Sequence, residues 1–395
     1  GLSDAAWRLL GADAPCEVEV SHPHTIESFR AVRGKLFGRS VSGAEFRAIV
    51  DDITARRYSD VQLSAFIASC VGPGVSRDEV VSLTRAMVEV GESLSWDRAV
   101  VFDKHCVGGL PGNRTSPLVV AIVAACGLIM PKTSSRAITS PSGTADTMET
   151  LTAVDLSLPD IRRVVEQEGG CLVWGGSVNL SPADDVLIRV EHSLDLDGEA
   201  QLVASVLSKK LAAGSTHVVI DVPVGPTAKV RDAQSAAALG ELLRFVGTSL
   251  DLTVDVLVTD GTQPVGRGIG PALEAWDLLA VLERTADAPA DLRDRAAVLA
   301  GAILERGGVC GPGEGVETAL AVLADGRAWR KFQAICEAQG GLREPLRAPH
   351  RAPAFAARPG RVAEIDNRRL ARLAKLAGAP QAPTAGVELL VHLGD

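Results

Sequence analysis

Between Ile26 and about Ser95, apolar residues recur at helical spacing in the runs Ile26 to Leu36, Ser42 to Thr54, Ser59 to Val71 and Ser76 to Val90. Ser42 and Ser76 stand where a hydroxyl can cap the first amides of a helix, so the pattern predicts a small helical unit. From Val100 the period changes. Val100 to Asp103 reads as a strand, Ser116 to Cys126 as a helix and Leu128 to Lys132 as a strand. Thr147 to Leu151 and Leu158 to Gln167 read as helical, and Cys171 to Val173 as a strand. Ser181 to Asp197 reads as an extended connection and Gly198 to Ala213 as a strong helix. The strand His217 to Val224, closed by the turn Gly225-Pro226-Thr227, precedes a helix at Asp232 to Gly247 and a strand at Thr253 to Thr259. Helices at Pro271 to Arg284, Leu292 to Arg306 and Gly315 to Ala324 follow.

This alternation predicts a mostly parallel sheet covered by helices, with ligands collecting beyond the strand carboxyl ends. The expected fold is α/β: a small helical lobe, a large mixed or parallel-sheet α/β lobe, and a small C-terminal α+β unit. Residues 1–24 read as the remnant of an N-terminal unit. The helical domain spans 25–97, completed by about 183–213, and the α/β domain spans 98–182 and 214–344. The terminal unit, 345–395, begins in the Pro- and Arg-rich, aperiodic stretch Pro345 to Arg361 and ends in a strand-like run, Val387 to Leu393. A chain that starts at Gly1 and stops just after such a run points to a longer product.

Composition narrows the function. The 395 residues carry a net charge of -9, which gives no general attraction to nucleic acid but leaves room for a local basic pocket. The apolar run Leu118 to Met130 is too short to span a bilayer, so no membrane role is expected. Seven scattered cysteines show no metal-ligand spacing, and Cys70 and Cys126 lie in apolar helical runs. That usage suits a reducing compartment, the cytoplasm, and predicts no metal.

The chemistry concentrates where the first strand ends. In DKHCVGGLPGNRTS, Lys104 and His105 precede Gly108, Gly109 and Gly112, and a helix start follows. A strand-end lysine and free helix-start amides suit phosphate oxygens, while His105 can carry or relay a proton near neutral pH. The lysine precedes the glycines, which disfavours a kinase-type phosphate loop. The same composition also suits a purely structural strand-turn-helix.

A second run, Lys132 to Thr147, crowds hydroxyls beside a lysine and an arginine. It suits phosphate or sugar oxygens, with Gly143 bringing Thr144 close, or else a capped surface loop. Ser205 and Lys209 share a helix face and could hold the edge of a base, whereas Lys210 reads as solvated. Asp197 is either a helix cap or, if desolvated, a proton donor. Arg189 ends a strand-like run, as an anion or carbonyl grip or in a strand-end ion pair. Trp174, Trp276 and Trp329 read as packing residues.

DKHCVGGLPGNRT, KTSSRAITSPSGTADTMETLT and LVASVLSKKLAAGSTHVVIDVPVGPTAKV resemble the thymidine and pyrimidine nucleoside phosphorylase superfamily. The likeness covers nearly the whole chain from about residue 25, and it is greatest to the long branch of AMP (nucleoside-monophosphate) phosphorylases and bacterial proteins labelled thymidine phosphorylases. It implies phosphorolysis of an N-glycosidic bond to free base and pentose 1-phosphate. No cofactor is implied, with inorganic phosphate as co-substrate, and a homodimer would form through the helical lobe. By position it implies phosphate contacts from Lys104, Thr115 or Ser116, Ser134 and Thr144. Cys106 stands where short-branch enzymes have serine, so one hydroxyl contact is lost unless the backbone amide supplies it. His105, Arg189, Ser205 and Lys209 would surround the base. The monophosphate branch adds a cradle at Gly109 and at Ser135, Arg136, Ala137, Ile138, Thr139 and Ser140, with Ser205 and Lys229, and makes Asp197 the proton donor. A non-catalytic nucleotide or phosphate sensor that retains the pocket is the alternative.

Overall fold

The computed structural model describes residues 3–11, 16–19, 25–72, 74–137, 140–194 and 198–395. After a short helix α1 (Asp4–Leu10), the helical lobe is built from α2 (Phe29–Leu36), α3 (Gly43–Thr54), α4 (Asp60–Ser69) and α5 (Arg77–Glu89). Three of these start in full capping boxes, Ser42 with Glu45, Ser59 with Gln62 and Ser76 with Glu79, in which each serine accepts from an amide that would otherwise lack a partner. Their apolar faces meet around Phe46, Ile49, Phe66 and Met87.

The α/β lobe follows as β1 (Phe102–Cys106), α6 (Thr115–Ala125), β2 (Met130–Ser134), α7 (Thr144–Glu149), α8 (Leu158–Glu168) and β3 (Gly170–Trp174). Next come α9 (Pro182–Leu194), α10 (Glu199–Ala212), β4 (His217–Val224), α11 (Ala233–Thr248) and β5 (Thr253–Asp260). Strands β1, β4 and β5 pair in parallel in that order, as do β2 and β3. The Phe102 amide donates to the Ile129 carbonyl at 2.9 Å, which ties the β2 edge to β1. Helix α6 is buried all round, packed between the sheet and the later helices α12 (Pro271–Glu283), α13 (Ala290–Arg306), α14 (Gly315–Ala324) and α15 (Arg327–Ala338). Such a helix has no polar face to show, which explains its unbroken apolar sequence.

The last elements are β6 (Gly268–Ile269), which precedes α12 in the chain, α16 (Asn367–Leu376) and β7 (Val387–Glu388). β7 pairs antiparallel with β6 and is shorter than the run from Val387 to Leu393 suggests.

Two stretches differ in kind from the sequence reading. Ser181 to Asp197 is not an extended connection: α9 occupies most of it, and its last three residues lie outside the described set. Ala183, Leu187 and Val190 sit at i, i+4 and i+7 and bury against the helical lobe, while Asp184 and Asp185 lie in the first turn, where the helix dipole favours negative charge. Arg189 is therefore helical and not at a strand end. The sequence reading also passed over α15, whose Ala328, Phe332 and Ile335 repeat the same spacing and are buried.

Candidate active site

The strand β1 runs through Lys104 and His105 and ends at Cys106, so the lysine belongs to the sheet itself. Alternation then divides the chemistry between two faces. Lys104 and Cys106 point with Phe102 toward α6, together with Asp221, which pairs in register with Cys106 on β4. Asp103 and His105 point the other way, toward α10.

On the α6 face Lys104 is 1% exposed and donates from Nζ to Thr115 Oγ1 at 2.7 Å, at the first residue of the helix. Thr115 accepts there, which leaves its own proton to be donated. Burial lowers the Lys104 pKa, and the nearby Asp221 carboxylate works against that shift. Asp221, fully buried, accepts from Thr259 Oγ1 at 2.6 Å and from Asn113 Nδ2 at 3.3 Å. Asn113 Nδ2 also donates to Cys106 Sγ at 3.3 Å. Burial, reinforced by Asp221, pushes the Cys106 thiol up to about 12, so it is a neutral thiol and no nucleophile at pH 7.

On the opposite face Asp103 binds Lys210 Nζ at 2.7 Å and Lys132 Nζ at 3.2 Å, all three side chains buried. Burial opposes the charge on Asp103, but the two lysines outweigh it and hold the carboxyl below the usual range. Lys210 is thus not solvated. Burial lowers its pKa, against the pull of Asp103. His105 is pushed well below its ordinary value, first by burial and then by Lys210, Lys132, Lys209 and Lys104. It is a neutral imidazole at pH 7, not a group poised to titrate there.

Of the buried groups that meet on β1, three lysines (Lys104, Lys132, Lys210) face two carboxylates (Asp103, Asp221), one positive charge in excess when every lysine is protonated; burial lowers Lys104 and takes Lys210 to about 7. A positive excess in a dry interior is costly unless an anion compensates it. The hydroxyl run lies at the end of β2. Ser134 Oγ is buried and, among the described residues, bonds to no protein atom. Asp146 accepts from the Ala137 and Gly143 amides at 2.6 and 2.8 Å and so pins the loop between β2 and α7. A Cβ on Gly143 would lie 2.6 Å from Ser135 O, so only glycine lets this turn close. Ile138 and Thr139 lie outside the described residues. Arg136 points outward: it binds Glu149 and lies over the Trp174 ring, 4.8 Å from its centroid.

Gly109 has φ +82°, and a Cβ there would collide with the Lys229 backbone, so the glycine loop and the turn after β4 touch. On α10, Lys209 Nζ lies 3.4 Å from Ser205 Oγ and 2.6 Å from Asp184 on α9. Arg189, in contrast, is exposed and binds Asp60 at 2.7 Å on the outside of the helical lobe. Asp197 lies outside the described residues. Sequence reading missed Arg114, which joins Glu274, Thr144 and Ser142; no spacing rule links residues so far apart.

Residues 98–329 match the glycosyl transferase family, a/b domain, and residues 30–91 match the glycosyl transferase family, helical bundle domain. A protein of Polaromonas sp. named "Putative thymidine phosphorylase" is 63% identical over 395 residues, which is all of this chain and 77% of that protein. An Acidovorax sp. protein, "Putative thymidine phosphorylase 1", is 62% identical over the same span and share. Among solved structures, anthranilate phosphoribosyltransferase from Thermus thermophilus superposes with a TM-score of 0.64 at 21% identity, covering 78% of this chain and 99% of that one. That likeness shows a shared fold. With both domain patterns present in order and relatives of this identity along its whole length, the chain belongs to the glycosyl transferase family of the nucleoside phosphorylases.

Proposed function

We propose that the chain cleaves a nucleoside-type N-glycosidic bond with inorganic phosphate, releasing free base and pentose 1-phosphate. The observation that carries this reading is the buried positive excess on β1, with Lys104 polarising Thr115 at a helix start. A phosphate oxygen bonds to C1′ as the C1′–N bond breaks, and the bonding pair leaves with the base. Lys104 and the hydroxyls of Thr115, Ser116, Ser134 and Thr144 hold the attacking phosphate. Gly109 lines its approach, and Cys106 contributes its backbone amide in place of a hydroxyl. Neutral His105 with Ser205 and Lys209 receives the base, Lys209 meeting the negative charge that grows on it. Arg189, engaged by Asp60, is left out of this constellation.

The finer reading is a nucleoside 5′-monophosphate as substrate. Its support is the close approach of Gly109 to Lys229, with Ser135 and Ser140 exposed at either end of the hydroxyl turn. In this reading Asp197 gives the base its proton. The plain nucleoside reading draws on Arg136, whose charge is already matched by Glu149. No cofactor enters either version. A homodimer through the helical lobe is supported by Leu36, Phe37 and Val61, large apolar side chains left exposed there. Seven free thiols support a cytoplasmic setting.

A panel of thymidine, uridine, cytidine, adenosine, UMP, CMP and AMP, assayed with and without phosphate, tests the proposal. Pentose 1-phosphate should form only with phosphate, and free pentose formed equally without it would mark a hydrolase instead. Phosphate binding with no product from any substrate would favour a sensor. One monophosphate should outperform its nucleoside, and Lys229→Ala should erase that preference while sparing the nucleoside. An equal effect on both classes refutes the monophosphate reading.

A further inference from the structure

Arg114 stands just before α6, between the two loops to which the phosphate contacts are assigned, and no part of the reaction scheme yet uses it. Its side chain is 12% exposed. Nε donates to Glu274 Oε2 at 2.7 Å, Nη2 donates to the Ser142 carbonyl at 3.0 Å, and Nη1 donates to Thr144 Oγ1 at 2.8 Å. One planar group thus joins three places: the end of the glycine loop, the hydroxyl turn before α7, and helix α12, which carries Glu274.

The bond to Thr144 has a chemical direction. The guanidinium can only donate, so Thr144 Oγ1 must accept, and the hydroxyl proton is left to point elsewhere. Lys104 treats Thr115 in the same way from the strand side. Glu274 completes the arrangement from behind. It is 2% exposed, accepts from Thr147 Oγ1 at 3.0 Å, and Thr147 Oγ1 in turn lies 2.9 Å from Ser142 Oγ. The bond from Thr147 that ties the 142–147 turn to α12 thus ends on the same carboxylate oxygen that holds Arg114.

We infer that Arg114 is a positioning residue for the phosphate co-substrate: held by Glu274, it fixes Thr144 with its hydroxyl proton directed at the anion, and it sets the spacing between the glycine loop and the hydroxyl turn. The inference rests on the phosphorolysis reading. Arg114 itself touches Thr144 and does not need to touch phosphate.

The test is a double-mutant cycle in the full chain with the best substrate of the panel, reading KM for phosphate and KM for the nucleoside or monophosphate separately. Arg114→Gln should raise KM for phosphate about tenfold and leave the other KM within about twofold, since only one co-substrate loses an oriented donor. Thr144→Val should do the same. In the Thr144→Val background, Arg114→Gln should add little, because the hydroxyl it positions is gone. Arg114→Lys should restore part of the loss, as it keeps the charge but not the forked geometry.

Because Arg114→Gln leaves Glu274 buried without a counter-charge, the pair Arg114→Met with Glu274→Gln is measured beside it; it leaves no buried charge and should show the same rise in KM for phosphate. Full additivity in the cycle, or an unchanged KM for phosphate in the double replacement, overturns the inference while leaving phosphorolysis standing. A wild-type chain that neither turns over with phosphate nor binds it by calorimetry overturns both.

Discussion

Replacing Lys104 by methionine removes the charge from the centre of the proposed phosphate site while keeping the stem that fills the space between β1 and α6. The lysine is 1% exposed and its side-chain bond of 2.7 Å to Thr115 places Nζ at the start of a helix where an anion is already favoured. Deleting one donor of this kind from a water-excluded site costs about 2.7–4 kcal/mol of transition-state stabilisation, so kcat/KM for phosphate should fall by about 10²–10³. Stability should change little. Burial is the largest influence on the Lys104 pKa and disfavours its charge, so methionine removes a cost as well as the attraction to Asp221. The pH profile gives a second readout. The wild-type lysine is protonated below its lowered pKa, so phosphate use should decline as pH rises through that value, and the methionine variant should lack this limb. Steady-state kinetics over a phosphate series, with thermal melting as the control for folding, measures both. Lys331→Ala is the comparison, since that lysine pairs with Glu168 away from β1. A Lys104→Met enzyme within threefold of wild type, or an equal loss in Lys331→Ala, refutes the assignment.

Gly109→Ala should cost about 1–2 kcal/mol from the left-handed backbone alone and, by driving the loop off Lys229, should reduce monophosphate use more than nucleoside use; equal proportional losses on nucleoside and monophosphate would contradict this. In the helical lobe, Glu79 binds Lys35 at 2.7 Å with both side chains buried and accepts from the Val41 and Ser76 amides. Glu79→Gln should destabilise by about 3–5 kcal/mol, because it strands a buried lysine. Burial raises the Glu79 pKa, but Lys35 and the two amides outweigh it and the value in the fold is lowered. The pair's contribution is therefore complete above the unfolded value of about 4.3 and is lost as pH falls through the lower folded value. Melting temperature against pH should show this acid limb in wild type and a shallower one in the variant; parallel curves would refute the coupling.

Elements with strong local signals were legible. Capped serines and 3.6-residue spacing located α3 and α5 to within a residue or two, and the apolar strands β4 and β5 stood out between turns. Where local and tertiary signals conflicted, the reading failed. Ser181 to Asp197 carries polar residues at most positions, and the run Val186 to Ile188 looks β-like on composition. Its helical face is narrow, and it becomes apolar enough only when Ala183, Leu187 and Val190 are seen to meet the core of the helical lobe. The two loops proposed to hold phosphate could be singled out because lysine, glycines and hydroxyls are adjacent in sequence. Arg114 was not, since its carboxylate partner lies 160 positions away.

The doublet Lys209-Lys210 shows why charge is the hardest quantity to read from sequence. Two adjacent lysines on a helix project about 100° apart, and the sequence reading places Lys210 in solvent. In the fold, Lys209 turns to Asp184 and Ser205, while Lys210 enters the sheet to meet Asp103, 107 positions earlier in the chain. Asp103 also binds Lys132, so its one negative charge serves two ammonium groups. Were Lys210 solvated, Asp103 and Lys132 would form a neutral pair and His105 would lose one of the lysine charges that, after burial, lower its pKa. The burial of this second lysine, and not the presence of a basic motif, supplies the positive excess on β1 when it is protonated, and it adds to the burial that lowers the His105 pKa.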